Sequence, residues 1–171
     1  MAALNLSKMS QEEVIQAVID HGGAGITKCI QCNACASVCP VAKAGFSLYG
    51  RLLFRKLQTG HYEEIIEDAS SWACQACNRC TEICPRDARP FDIVFAFRRM
   101  QAEELAISTS AFTPLMSLHA TGHAVTSEAS KKLRQQVGLD SQPATSIEDE
   151  QAQKEIQTLL ENGPMGELGI F

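Results

Sequence analysis

Aromatic residues are scarce in this chain of 171: seven Phe, two Tyr and one Trp. Such side chains supply much of the buried area of an ordinary core, so something besides aromatic packing must help to organise it. Cysteine is missing everywhere outside two short runs, which leaves no spare thiol for nucleophilic catalysis. The G-x-G-x-x-G fingerprint is missing too, and with it a Rossmann-type dinucleotide site. No acid–base pair, triad or phosphate loop stands out, so an enzyme complete in itself is the weakest reading. The N-terminal residues Met1 to Leu6 lack a basic region followed by a long apolar run. The expectation is therefore no export signal and a cytoplasmic protein.

Long apolar runs are absent as well. The longest stretch without Asp, Glu, Lys or Arg, Leu105 to Ser127, contains two His, Pro114, Gly122 and eight Ser or Thr. That is too polar for a bilayer helix, so it is expected to be a connecting segment and no membrane span is expected. Nor is there an excess of positive charge. Residues 1–139 carry 14 basic and 13 acidic side chains, and residues 140–171 carry one and seven, for a net −5. The acidic tail argues against nucleic acid as a partner. It is either a solvated helix face or a docking tail for a basic patch on another protein of the same complex.

What is present is a repeat. Cys29, Cys32, Cys35 and Cys39, followed by Pro40, have the spacing C-x2-C-x2-C-x3-C-P, and Cys74, Cys77, Cys80 and Cys84, followed by Pro85, repeat it. This is the spacing with which bacterial-type ferredoxins hold 4Fe–4S clusters. Each iron of a cubane needs one thiolate; three from a short turn can wrap one face, and a fourth must come from elsewhere. In two-cluster ferredoxins the cysteine before proline serves the other cluster. Carried over by position, one cluster takes Cys29, Cys32, Cys35 and Cys84, and the other takes Cys74, Cys77, Cys80 and Cys39. Two clusters would also replace part of a hydrophobic core. Pro40 and Pro85 are expected to turn the chain out of the site. Zinc remains an alternative, although its structural sites usually draw on separated cysteine pairs. Disulfides would need an oxidising compartment.

The chain between and around the runs reads as helical. Ser10 and Glu13 form a capping box, and Met9 and Val14 are placed for a hydrophobic staple. Val14, Ile15, Val18 and Ile19 form the stripe of this first helix, and His21-Gly22-Gly23 stops it. A second pattern starts at Ser47, with Leu48, Tyr49, Leu52, Leu53 and Leu57 on one face, and ends at Thr59-Gly60. A short helix with Ile65, Ile66, Ala69 and Trp72 is expected before Cys74. After Pro85 comes a loop, then a helix capped by Asp92, with Ile93, Val94, Phe97 and Met100 inward. Arg79, Arg86 and Arg89 are expected beside the second cluster, where positive charge raises its potential, or else they are ordinary surface residues.

Further on, His119 and His123 share a helical spacing, but without the Glu of H-E-x-x-H they are a weak metal pair. Ser127 to Val137 reads as a polar helix ended by Gly138. Thr145 and Glu148 form a second capping box ahead of Ala152, Ile156, Leu159 and Leu160. The end, Gly166 to Phe171, is expected to be mobile unless a partner takes Ile170 and Phe171. Without period-2 alternation, the expected fold is mainly α: an α-helical ferredoxin domain with two 4Fe–4S clusters over residues 25–106. An N-terminal helix, residues 1–24, and a helical extension with the acidic tail, residues 107–171, flank it.

The two runs, the Leu48–Leu57 segment, Ser71-Trp72 before Cys74, and Cys84-Pro85 before a helix together resemble the C subunit of heterodisulfide reductase and its bacterial Hdr-like relatives. The resemblance is carried by residues 25–106, is fainter from Gly122 to Leu139, and is not claimed for the last thirty residues. It implies a non-catalytic wire between two other proteins of a complex. One is the flavin- and iron–sulfur-bearing A subunit; the other is the cysteine-rich B subunit, which converts a disulfide or sulfur compound. In the Hdr-like complexes of sulfur oxidisers the implied flow is reversed. The Cys-Cys pairs of that cysteine-rich partner are absent from this sequence. Iron–sulfur subunits of glycerol-3-phosphate, lactate, glycolate or succinate/fumarate dehydrogenases use similar modules. They usually carry additional cysteine-bearing domains that this sequence lacks.

Overall fold

The computed structural model describes residues 9–46, 50–124 and 127–171, and among these it contains helices and turns but no strand. The chain divides into two compact units, Met1–Ile107 and Ser108–Phe171.

The first unit opens with α1, Gln11–Asp20. Its N-terminus is closed as expected: Glu13 N donates to Ser10 Oγ at 3.3 Å, and Ser10 N donates to the Glu13 carboxylate at 2.5 Å. Val14 and Val18 are buried. A 3-10 turn, Ala24–Lys28, leads into the first cysteine run. The short helices α2, Ala34–Ser37, and α3, Pro40–Lys43, follow. Pro40 does not simply turn the chain away, as expected, but opens α3 at its first position. There its missing N–H costs nothing and its fixed φ suits the helix.

Helix α4 spans Arg51–Gln58. The expected start at Ser47, with Leu48 and Tyr49, lies outside the described residues. The buried face is Leu53, Phe54 and Leu57, while Leu52 is 41% exposed. The inward face is thus centred one residue later than the leucine pattern suggested, and Phe54 takes the place expected for Leu52.

The helix expected over Ile65 to Trp72 does not form; turns and a single 3-10 turn, Ala69–Ser71, take its place. Side chains claim the backbone groups a helix would use. Asp68 accepts from Ser70 N at 2.7 Å. Gln101, fully buried, donates to Ile66 O at 2.7 Å and Asp68 O at 2.9 Å and accepts from the Ser71 hydroxyl.

After the one-turn α5, Arg79–Glu82, comes the longest helix, α6, Pro90–Glu103. Its cap is Arg89 with Pro90 at the first position, not Asp92, which lies in the first turn and pairs with Arg89. Ile93, Val94, Phe97 and Met100 are buried as expected. They meet Val14, Val18, Ile26, Leu53, Phe54, Leu57 and Tyr62 in one core, where Tyr62 meets Phe97 edge-on at 5.9 Å.

The second unit contains α7, Thr109–Thr121; α8, Glu128–Gln136; α9, Glu150–Glu161; and α10, Pro164–Glu167. The uncharged stretch expected to be a mere connection is therefore largely helical. No described helix is long and apolar enough to cross a membrane. Helix α9 is capped by Asp149, which accepts from Gln151 N and Ala152 N, while the expected cap Thr145 precedes a 3-10 turn, Ser146–Glu148. Leu159, expected on the inner stripe, is 74% exposed, and Gln153 is buried instead. Gln153 donates to His119 O at 2.7 Å and accepts from Ser146 Oγ at 2.6 Å, joining α7 to α9. Phe171, expected to be free at the mobile end, stacks on the His119 ring at 4.4 Å, and His119 Nε2 lies 2.9 Å from Glu161.

Gln101→Leu keeps the apolar volume but leaves Ile66 O, Asp68 O and Ser71 Oγ without that partner. Each buried group left unpaired costs about 1–3 kcal/mol. The variant is expected to unfold at clearly lower denaturant concentration than the parent chain, read by circular dichroism with clusters bound.

Candidate metal centre

The two cysteine runs follow the same backbone path. Each is entered from a 3-10 turn and ends in a one-turn helix, α2 or α5, that carries its third cysteine, Cys35 or Cys80. Between the first and third cysteines the chain twice enters the left-handed region: Gln31 at φ 59° and Asn33 at 68° in one run, Ala76 at 54° and Asn78 at 57° in the other. Asn tolerates this region; Gln and Ala pay about 1–2 kcal/mol for it. Alternation of left- and right-handed residues turns successive N–H groups into one concavity, the nest found at phosphate and iron–sulfur sites. Cysteine spacing alone did not reveal this feature. Its signal was an Asn directly after the second cysteine of both runs.

Around one small cavity stand Cys29, Cys32, Cys35 and Cys84, with Phe54, Ala88 and Pro90 in the wall. Around the other stand Cys74, Cys77, Cys80 and Cys39, with Val41 and Phe91. Each set thus combines three cysteines of one run with the last of the other. Cys32 and Cys77 are exposed, Cys39 is buried, and the rest are half-buried. Gly25 makes room for the crossing, because a Cβ there would lie 1.9 Å from Ala88 O. Ala88 N in turn donates to the Cys84 sulfur at 3.3 Å.

Burial pushes the Cys35 thiol up to about 12, reinforced by Cys29 and Cys80. Burial and then Cys74 push Cys80 up to about 11, with Cys39 adding to the shift. Cys29 is raised by burial and then, among its neighbours, by Cys84 and Cys32. Cys35 and Cys80 belong to different sets, so the two sets are electrostatic neighbours. The donor chemistry fits iron–sulfur centres: four sulfurs around each cavity, a backbone nest, and a requirement for cationic metal to offset thiolate charge in a half-buried site.

The three arginines divide differently from the expectation. Arg79 lines the second cavity, Arg86 lines the first, and Arg89 lines neither and pairs with Asp92. His119 lies within α7, whereas His123 lies beyond Gly122, the left-handed residue that ends the helix, so they are not two rungs of one helix face. Two supports had not been foreseen. Gln58 Nε2 donates to Ile26 O at 2.8 Å and Cys29 O at 2.9 Å. Arg98 donates through Nε to Ser71 O at 2.7 Å and through Nη2 to Cys74 O at 2.9 Å. Their helical spacing carried no hint of this, because the acceptors are backbone carbonyls far away in sequence.

Residues 24–85 match the family described as a 4Fe–4S dicluster domain. Over 98% of this chain and 92% of the relative, the sequence is 40% identical to a protein of Archaeoglobus profundus described as like the C subunit of heterodisulfide reductase. It is 34% identical to the iron-sulfur C subunit of the CoB–CoM heterodisulfide reductase of Methanopyrus kandleri, over 79% of the chain and 70% of the relative. With the C subunit of the ferredoxin/F420H2-dependent CoB–CoM heterodisulfide reductase of Methanosarcina acetivorans it shares 31% identity, over 92% of the chain and 96% of the relative. Similarity thus continues into the last thirty residues, for which the motif-based resemblance made no claim. The tail has no ligand motif by which to be recognised.

The crossing predicts a pairing of phenotypes. Cys84→Ser is expected to disturb the same electron paramagnetic resonance signal as Cys32→Ser, and Cys39→Ser the same signal as Cys77→Ser. The raised thiols predict a pH effect on loading. Cys35 and Cys80 are protonated throughout the range from about pH 7 to about pH 9, and ligation needs thiolates, so iron uptake releases protons and becomes more favourable as pH rises. Reconstitution of the apo chain across that range, followed by visible absorbance, checks the sign.

Proposed function

Because this chain belongs to the family of heterodisulfide reductase C subunits, we propose that it is the wire of such a complex, holding two 4Fe–4S clusters. It carries electrons between a flavin-bearing partner and a cysteine-rich partner where a disulfide or sulfur compound is converted. The coarser role, an iron–sulfur electron-transfer subunit, rests on the family and on the 4Fe–4S dicluster domain. The observation that carries the finer reading is the gathering of eight thiols into two neighbouring sets of four.

When bound, a 4Fe–4S cluster supplies reversible one-electron capacity. The chain's own residues then do three things. Cys29, Cys32, Cys35 and Cys84 hold one cluster, and Cys74, Cys77, Cys80 and Cys39 hold the other. Phe54 beside the first cavity, and Val41 and Phe91 beside the second, limit water at the sulfurs. The exposed Cys32 and Cys77 mark where the redox group of a partner approaches closest. The proximity of Cys35 to Cys80 keeps the path between the sets short. Eight cysteines kept for clusters rather than for disulfides suit a reducing compartment, so a cytoplasmic setting is part of the same proposal.

Anaerobic purification of the native complex tests the reading. About eight irons per chain, four for each cluster, are expected, together with a flavoprotein and a chain bearing paired Cys-Cys motifs. A colourless zinc-loaded chain, or a dehydrogenase flavoprotein as sole companion, would overturn it.

A further inference from the structure

The two sites are built alike up to one substitution of charge. Ile26 lies three residues before Cys29, and Ser71 three before Cys74. In both cases one side chain from a later helix donates to that carbonyl and to the carbonyl of the first cysteine of the run. At the first site the side chain is Gln58 of α4, an uncharged amide. At the second it is Arg98 of α6, a guanidinium.

Arg98 is not a loose surface cation. It is half-buried, two of its three guanidinium nitrogens donate to the Ser71 and Cys74 carbonyls, and its guanidinium lies 4.7 Å from the Phe95 ring centre and 5.5 Å from that of Trp72. Such a charge is held at one place and only weakly screened. The cations that line the two cavities balance one for one. Arg86 lines the first cavity and Arg79 the second, and both are exposed. Lys28, beside Cys29, is exposed and faces Asp87 at 3.7 Å. The persistent asymmetry is therefore Arg98 against Gln58.

We propose that Arg98 is a positioning residue that makes the second cluster, held by Cys74, Cys77, Cys80 and Cys39, the higher in potential of the two. The inference rests on the reading that each set of thiols holds one 4Fe–4S cluster. A reduced cluster carries one more negative charge than an oxidised one, so a fixed cation beside it favours the reduced state. In the one-electron exchange between the sites, the first cluster is oxidised as the second is reduced, and the electron comes to rest at the second. Electrons supplied to this chain by a low-potential donor therefore collect on the Arg98 side.

The experiment is a redox titration of the full chain, purified anaerobically with its clusters, followed by electron paramagnetic resonance. Iron content is measured first; far fewer than eight irons per chain would sink the two-cluster reading itself, before Arg98 is in question. With both clusters present, two midpoint potentials are expected. Arg98→Gln, which keeps an amide donor like that of Gln58, is expected to lower the higher potential and leave the lower in place, narrowing the gap. Arg98→Lys, which keeps the charge, is expected to keep most of the gap and serves if Arg98→Gln does not fold. A shift of the lower potential, equal shifts in both variants, or no shift at unchanged iron content would overturn the proposal.

Discussion

Sulfur donors in sets of four, each completed from the other run, form the constraint on which the first unit depends. Cys39 leaves its own run at the start of α3 to join Cys74, Cys77 and Cys80, and Cys84 leaves its run to join Cys29, Cys32 and Cys35. Neither move is possible unless the two runs lie side by side, and the rest of the unit provides for that. Gly25 lets the backbone before the first run touch Ala88 after the second. Helix α6 returns under both runs, and its Phe97 and Met100 share one core with Val14 and Val18 of α1 and Leu57 of α4. The scarcity of aromatic side chains then has a physical counterpart: part of what would be core is space lined by cysteine.

A repeated backbone with unequal supports is a different matter from a repeated motif. The left-handed positions at Gln31 and Asn33 recur at Ala76 and Asn78, so both runs offer the same cradle of N–H groups. What differs is what lies behind the cradle. An amide and a guanidinium make equivalent pairs of hydrogen bonds to the corresponding carbonyls of the two runs, yet only one of them brings a charge into a half-buried place where it is felt. Geometry can thus be duplicated while electrostatics is not, and a wire with two equivalent stations would have no preferred resting place for its electron.

The second unit is held together by other means. Among its described residues only Gln153 is buried, and it works by donating to the carbonyl of His119 and accepting from the hydroxyl of Ser146. Its similarity to the relatives extends well past the cysteines, which agrees with a retained role for this unit.

Local chemistry was readable from the residues alone. The capping box at Ser10 and Glu13, the helical character of the chain, the inward face of α6 and the eight cysteines with their spacing all depend on neighbours a few positions away. Such signals survive in one dimension because the interacting groups lie within a turn of one another. What the residues misreported were places where a distant partner outbids the local preference. The stretch from Ile65 to Trp72 has a helical pattern but gives its carbonyls to Gln101 and Arg98. Leu52 and Leu159 keep a helical spacing yet face outward, because the neighbours that bury a face are chosen by packing. Composition and spacing by themselves determined that this chain is helical and carries iron–sulfur donors. The spacing also anticipated which thiols stand together, and only the tertiary structure decided that Arg86 belongs to the first site and that Gln58 and Arg98 stand behind the two. Those choices are contacts between residues remote in sequence, and no local preference encodes them.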